Sequence, residues 1–368
     1  MRAGTHRIMT LQDTTRAPRD FAPAGAAWID RSAAGRVEGR GADRLSWLQG
    51  LLTNDVAALA PGHGCYAAYL TPQGRMIADV RVLVREEAAW LDLPGHVKDA
   101  VLARLDMFVI SEDVTMRDLS GELARLTVVG PQAAAIVARA LVTEGAHRDA
   151  CARALGQLPP HAHLARPWHG ADVLVAATRE LGMPGFDVYV PGALRPTLEA
   201  ALRATGAVAL DEPTWHLLRV EAGRPQFGLD MDEDTIPLEA GLEDEAISFT
   251  KGCYVGQEII VRMRDRGHGR VAKRLMRLVA AEADAGPAAA FTAGATLVAG
   301  DREVGRVTSA VWSARRGRTV GLGYVQRAHA EPGVALAARA GDTSIAVVLA
   351  PRVAGGDEAS AAQAEPHA

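Results

Sequence analysis

The spacing of apolar residues changes character near residue 273, and that change divides the fold into two parts. Before it, helical and strand-like periods alternate. Ala42 to Asn54 reads as a helix with Leu45, Leu48, Leu51 and Leu52 on one face. Cys65 to Leu70 and Met76 to Val84 read as strands split by a Pro72-Gln73-Gly74 turn. Val97 to Phe108 is an amphipathic helix and Ala124 to Val129 a strand; Pro131 then opens a helix reaching about Leu141. A strand pair at Val173 to Ala177 and Phe186 to Val190 precedes helices over Pro191 to Ala204 and Pro213 to Glu221. The later pattern is one of short strands: Arg274 to Val279, Thr296 to Ala299, Glu303 to Ser309, Thr319 to Val325 and Ser344 to Leu349. Gly-rich turns such as Gly300-Asp301 separate them, as in a small barrel or sandwich. The expected class is therefore α+β, sheets with flanking helices followed by an all-β unit, divided near residues 272 to 285.

Just before the divide lies Lys251-Gly-Cys-Tyr-Val-Gly-Gln-Glu-Ile-Ile260. Gly252 and Gly256 permit tight or positive-φ backbone and close approach of a partner. From Gln257 the pattern turns helical, with Ile259, Ile260 and Met263 apolar and Glu258 spaced to pair with Arg262. Cys253 then lies before a helix N-terminus and beside Lys251, two influences that lower a thiol pKa. A free cysteine is more often a small buried hydrophobe, but flanking glycines and a neighbouring cation favour a reactive thiol. Lysine occurs only at Lys98, Lys251 and Lys273 among many arginines, which hints that Lys251 is used for its compact ammonium.

Composition narrows the rest. A chain of 368 residues with 48% hydrophobic content can bury several cores, and a net charge of −4 demands neither nucleic acid nor an acidic surface. No apolar run is long enough to cross a bilayer, and Met1 to Arg19 lacks the apolar core of a secretory signal. Cys65, Cys151 and Cys253 are odd in number and far apart, which argues for a reducing compartment, with cytoplasm the default. Residues 1–25 and 353–368 have the composition of disordered tails. Rossmann, Walker and HExxH signatures are missing, so nucleotide and zincin chemistries have no support. His161, His163 and His169 have poor metal spacing, and no metal site is assigned.

Lys-Gly-Cys-Tyr-x-Gly-Gln-Glu resembles the signature of the YgfZ-type folate-binding proteins, in the superfamily of the glycine-cleavage T-protein (GcvT, aminomethyltransferase). Further blocks resemble that family in the same order: Leu48 to Val56, Thr71 to Asp79, Arg219 to Asp230 and Ile236 to Leu242. The resemblance implies a folate-binding α+β body of mixed sheets over 26–272 and a small C-terminal β-barrel over 273–352. It implies tetrahydrofolate as cofactor, with Asp79, Asp187 and Arg219 at the pterin. It also implies an accessory role in iron–sulfur cluster assembly or repair, and so in cluster-dependent tRNA modification, with client or carrier proteins as partners and Cys253 and Lys251 as the reactive pair. Gly252, Tyr254, Gly256, Gln257 and Glu258 complete that motif. The chain departs from the T-protein itself. Its aspartate pair is reduced to Ala78-Asp79, and Arg179 to Asp187 replaces a Gly-Tyr-Thr-Gly-Glu block. These departures put aminomethyl transfer in question, so an aminomethyltransferase is the first alternative and a non-catalytic RNA- or protein-binding module the second.

The pattern alone leaves roles open. Asp79 sits among apolar neighbours and needs a partner or a ligand, unless period-two alternation points it at solvent. Arg219, Glu221 and Arg224 also fit a surface charge cluster. The basic run Arg262, Arg264, Arg266, Arg270, Lys273, Arg274 and Arg277 fits a solvated face or an RNA contact, though without aromatic interleaving.

Overall fold

A computed structural model describes residues 25–265, 270–282 and 291–351. The chain opens with β1 (Ala27–Asp30), β2 (Gly35–Arg40) and α1 (Arg44–Leu51), then β3 (Gly64–Leu70), β4 (Met76–Val84) and β5 (Ala89–Leu93). Next come α2 (Lys98–Asp106), β6 (Thr115–Asp118), β7 (Leu123–Val129), α3 (Ala133–Leu141) and α4 (Gly145–Gly156). β8 (His163–Trp168), β9 (Ala171–Thr178), β10 (Gly185–Pro191), α5 (Arg195–Ala204), β11 (Val208–Ala209) and α6 (Glu212–Glu221) follow. A largely irregular stretch carries α7 (Glu243–Ala246) and α8 (Gln257–Asp265). The last strands are β12 (Lys273–Ala280), β13 (Thr296–Ala299), β14 (Arg302–Ser313), β15 (Arg318–Gln326), β16 (Ala335–Ala340) and β17 (Thr343–Ala350).

These strands form two open sheets, in the orders β11-β1-β7-β10-β9-β8 and β3-β4-β5-β2-β6, and a closed barrel β12-β15-β14-β13-β16-β17. The α+β class and the C-terminal barrel are thus as expected. Each open sheet buries one face against helices. Leu126, Val128, Val175, Phe186 and Val188 pack with Ile136, Leu155 and Leu198 of α3, α4 and α5. Ala78, Val80, Val82 and Leu91 pack with Leu48 and Leu51 of α1 and Val101 and Leu105 of α2. Because successive side chains in a strand alternate faces, the intervening residues point the other way. There Leu83 of β4 meets Leu174, Ala176 and Tyr189 of the other sheet. The two open sheets therefore face one another across a layer that is only partly apolar.

Several elements lie beyond what periodicity alone reads. β2 is a strand of sequence Gly-Arg-Val-Glu-Gly-Arg whose Arg36 and Glu38 are buried, so its charges hid its depth. In α4 only Cys151 and Leu155 are buried, too thin a stripe to register as amphipathic. β16, Ala-Leu-Ala-Ala-Arg-Ala, lacks β-branched residues and is held by pairing with β13 and β17. The expected tails fall outside the described residues, Gly25 excepted. No helix among the described residues is long and apolar enough to cross a membrane.

Candidate functional site

Asp79 and Arg81 share the inner face of β4, turned from the α1 core and toward the sheet of β7, β10 and β9. The period-two alternation is as the sequence indicates, but that face does not open to bulk solvent. Tyr66 on β3, paired in register with Arg81, donates its hydroxyl to Asp79 Oδ2 at 2.8 Å. Asp79 Oδ1 is shut off from solvent and has no hydrogen-bond partner. Burial pushes the carboxyl up to about 6, against the opposing pull of the Tyr66 hydroxyl and, more weakly, of its own backbone N–H, which lies too poorly aligned to count as a hydrogen bond to Oδ1. Although the residue as a whole is only half-buried, the enclosed oxygens govern its titration. A buried carboxylate oxygen without a donor is free to accept a hydrogen bond from a ligand, and unlike Asp92 and Asp187 the Asp79 carboxylate has no arginine paired with it among the described residues.

Around this pair stand groups brought in from distant segments. Glu180 and Asp92 bear electrostatically on Asp79, and Glu245 and Arg224 on Tyr66. Arg224 holds Glu245 through two contacts of 2.6 and 2.7 Å and donates to Arg179 O at 3.0 Å. His161, at φ 66°, keeps a buried Nδ1 without a partner, and burial together with Arg81 pushes its pKa down to about 3. No motif flagged Tyr66, Arg81, His161 or Glu180. Period-two pairing of β3 with β4 could have found the first two, whereas His161 and Glu180 arrive only through tertiary packing. Two open hollows lie elsewhere, one lined by Glu38 and Thr115 and one by Gln132 and Arg148. Asp79 is marked out by its unpartnered oxygen and not by a cavity.

Asp187 lies in the same inter-sheet layer but is fully buried and already paired. It meets Arg81 Nη2 at 2.5 Å and Arg125 Nε at 3.8 Å, and the Thr127 hydroxyl donates to it. Tyr189 donates to Asp92 Oδ2 at 2.6 Å, and Arg125 pairs with the same carboxylate. This network staples β4 and β5 to β7 and β10. Within it Asp187 is engaged by Arg81, Arg125 and Thr127, while Glu180 is the acid that bears most strongly on Asp79.

Arg219 is buried at the far end of α6. Its guanidinium donates to Asp230 Oδ2 at 2.6 Å, Ser309 Oγ at 2.9 Å and Arg224 O at 3.1 Å. Asp230 also accepts from Ser309 and Thr308 of β14, each at 2.6 Å. Glu221 accepts from Ser313 Oγ at 2.6 Å and Arg315 Nη2 at 3.0 Å. Instead of a surface cluster, α6 thus carries two buried pins into the barrel. Val220 beside them packs on Leu275, Val320 and Leu322.

The motif loop is anchored on both sides of an exposed thiol. Cys253 is exposed, whereas Cys65 and Cys151 are buried. Gly256 adopts φ +85°, and a Cβ there would stand 2.5 Å from Thr71 O in the β3–β4 turn. Gly252 has nothing within 4 Å of a Cβ, so its backbone freedom is not required by packing. Tyr254 is buried beneath the Lys251 ammonium at 5.1 Å. The Lys251 ammonium is engaged by backbone carbonyls. Its Nζ donates to Gln49 O, Leu52 O and Asn54 O at 2.6, 2.7 and 2.8 Å, capping the C-terminal end of α1. Burial pushes its pKa down to about 8. Three convergent carbonyls suit a compact three-donor ammonium better than a planar guanidinium. Gln257 begins α8, four residues beyond Cys253, so the thiol stands outside the first turn. Glu258 is exposed and, among the described residues, forms no ion pair with Arg262.

The basic run does not make one strip. Arg277 is buried, Lys273 lies over Tyr324 and 3.8 Å from Glu239, and Arg264 pairs with Asp265 and stacks on Phe249. Arg266 lies outside the described residues.

Comparison with known proteins matches this architecture. Residues 15–251 match the GCVT N-terminal domain, and residues 273–354 the glycine cleavage T-protein C-terminal barrel domain. Residues 252–272, Cys253 among them, lie between the two matches. An aminomethyltransferase from Rubrobacter xylanophilus is 31% identical over 300 residues, 82% of this chain and 76% of the relative. A putative chloroplastic transferase from Arabidopsis thaliana is 25% identical over 84% of this chain and 67% of the relative. The crystal structure of the glycine cleavage system aminomethyltransferase T from Bartonella henselae has the same fold, with TM-score 0.76 at 22% identity over 89% of this chain and 85% of that one. With paired sheets, closing barrel and both domain matches in the same order, the chain belongs to the glycine-cleavage T-protein family.

Proposed function

We propose that this protein binds tetrahydrofolate between its two open sheets and supports iron–sulfur cluster assembly or repair through Cys253. Aminomethyltransferases of the family bind tetrahydrofolate, and the residues present here fit that cofactor. The pterin presents a 2-amino-4-oxo edge whose N–H groups need a carboxylate acceptor. Asp79 Oδ1 is such an acceptor, buried and without a protein partner, and this observation carries the reading. Tyr66 fixes the other oxygen and so the orientation of the carboxylate. Bound folate would supply one-carbon chemistry; the chain's own residues bind and orient it.

The second half of the reading follows from the resemblance of the motif loop to YgfZ-type proteins, supported by its exposed thiol on a firmly anchored loop. One thiolate cannot hold a cluster that usually takes four, so Cys253 acts on a client or carrier protein. Complementation of a strain lacking the gene tests this, with cluster-dependent enzyme activities as readout. Cys253→Ser should fold like the parent yet fail to complement; full complementation by a folded serine variant overturns the thiol's role. A second reading, aminomethyl transfer, is favoured by the 31% identical relative of that name. Turnover of an aminomethylated carrier with tetrahydrofolate would establish it.

A further inference from the structure

The exposed thiol loop and the Asp79 pair are joined by a continuous hydrogen-bonded path. Lys251 Nζ donates to Asn54 O at 2.8 Å. Asn54 Nδ2 donates to Tyr66 O at 2.8 Å and Glu245 O at 3.1 Å, and Asn54 Oδ1 accepts from Asp55 N at 2.9 Å. Tyr66 then reaches Asp79, and the Glu245 carboxylate holds Arg224. Thr53 reinforces the same junction, donating to Ala246 O at 2.6 Å and accepting from Ala68 N at 2.8 Å. Asn54, like Thr53, thus ties β3 to α7 through its side chain, and its own carbonyl holds the motif lysine.

We propose that Asn54 and Lys251 are positioning residues that couple ligand occupancy at Asp79 to the exposure of the Cys253 thiol. The proposal rests on the reading of Asp79 as the folate carboxylate. A ligand that engages Asp79 Oδ1 lies against Tyr66 and the Arg224–Glu245 pair. Any adjustment of β3 or α7 reaches Asn54 through both of its amide hydrogens. Asn54 O then moves one of the three carbonyls that place the Lys251 ammonium. Beyond Lys251 the chain is anchored again at buried Tyr254 and where Val255 N donates to Gly50 O at 3.1 Å. The segment Gly252–Cys253 between these anchors is exposed and has room around it. The coupling assigns to this segment the two arrangements that communication between sites requires.

The test measures the rate at which iodoacetamide alkylates Cys253, read on its own peptide by mass spectrometry, with and without saturating 5-formyltetrahydrofolate. In the native protein the folate should change that rate by roughly fivefold or more, within the usual range of coupling between sites. Asn54→Ala should still bind the folate by calorimetry yet lose the rate change. Lys251→Met carries the same expectation if Asn54→Ala does not fold. Folate binding without any rate change in the native protein overturns the proposal while leaving the folate site standing. Retention of the full rate change in both folded variants overturns it as well. Failure of the native protein to bind the folate removes the Asp79 reading, and the coupling with it.

Discussion

Burial of the Asp79 carboxylate with one oxygen unpartnered has a thermodynamic sign that can be measured without ligand. Its titration is pushed up to about 6, so between the unfolded value of about 3.9 and that pH the native state holds the extra proton. Stability from this group is fully present below the unfolded value, falls as pH rises through the window, and is lost above it. Asp79→Asn should therefore raise the stability of the ligand-free protein at pH 7.5 by on the order of 1–3 kcal/mol, with no gain near pH 3. Denaturant titrations at several pH values would show this. The same substitution should weaken tetrahydrofolate binding by roughly 1.5–3 kcal/mol. A side chain whose removal stabilises the fold and damages binding is held for function. At this scale the sequence was readable as far as the strand: alternation put Asp79 opposite the core. What it faces was not readable, because Arg81, Tyr189 and His161 meet only when two sheets from separate stretches are laid together.

The motif loop is the element on which spacing was most informative and also most misleading. Gly252 needs no special freedom, whereas Gly256 with its positive φ and the helix from Gln257 are where the pattern puts them. The lysine's partner is not, because proximity in sequence suggested the thiol while the carbonyls that end α1 lie two hundred residues away, as in the Lys251–Gln49 contact of |i−j| = 202. The two glycines separate cleanly. Gly256→Ala forces a positive φ on alanine and a Cβ into Thr71 O, so thermal denaturation should register a loss of about 1–3 kcal/mol. Gly252→Ala meets nothing and should stay within about 0.5 kcal/mol of the parent. Equal effects at the two positions would mean the loop is seated differently.

For the whole molecule, the barrel is held to the body by α6, through Arg219–Asp230–Ser309 and Glu221–Ser313. The barrel itself was legible from short strands and Gly-rich turns, but its docking was not, since buried arginines on a helix read as surface charge. Arg219→Ala leaves Asp230 buried without its cation and should cost about 3–5 kcal/mol, with early loss of the barrel in thermal denaturation. Folate affinity of the fraction that remains folded should change little. Unchanged stability with lost affinity would instead place Arg219 at the ligand.

The central claim is that the ionised Asp79 carboxylate receives the folate, and calorimetric titration of 5-formyltetrahydrofolate between pH 5 and 8 tests it most directly. Because binding draws on the ionised form of a group titrating at about 6, affinity should be level above that pH. Below it, affinity should fall by about tenfold per pH unit, with proton release on binding. Asp79→Asn should bind weakly at every pH. Affinity that is independent of pH and unaltered in Asp79→Asn would contradict the account.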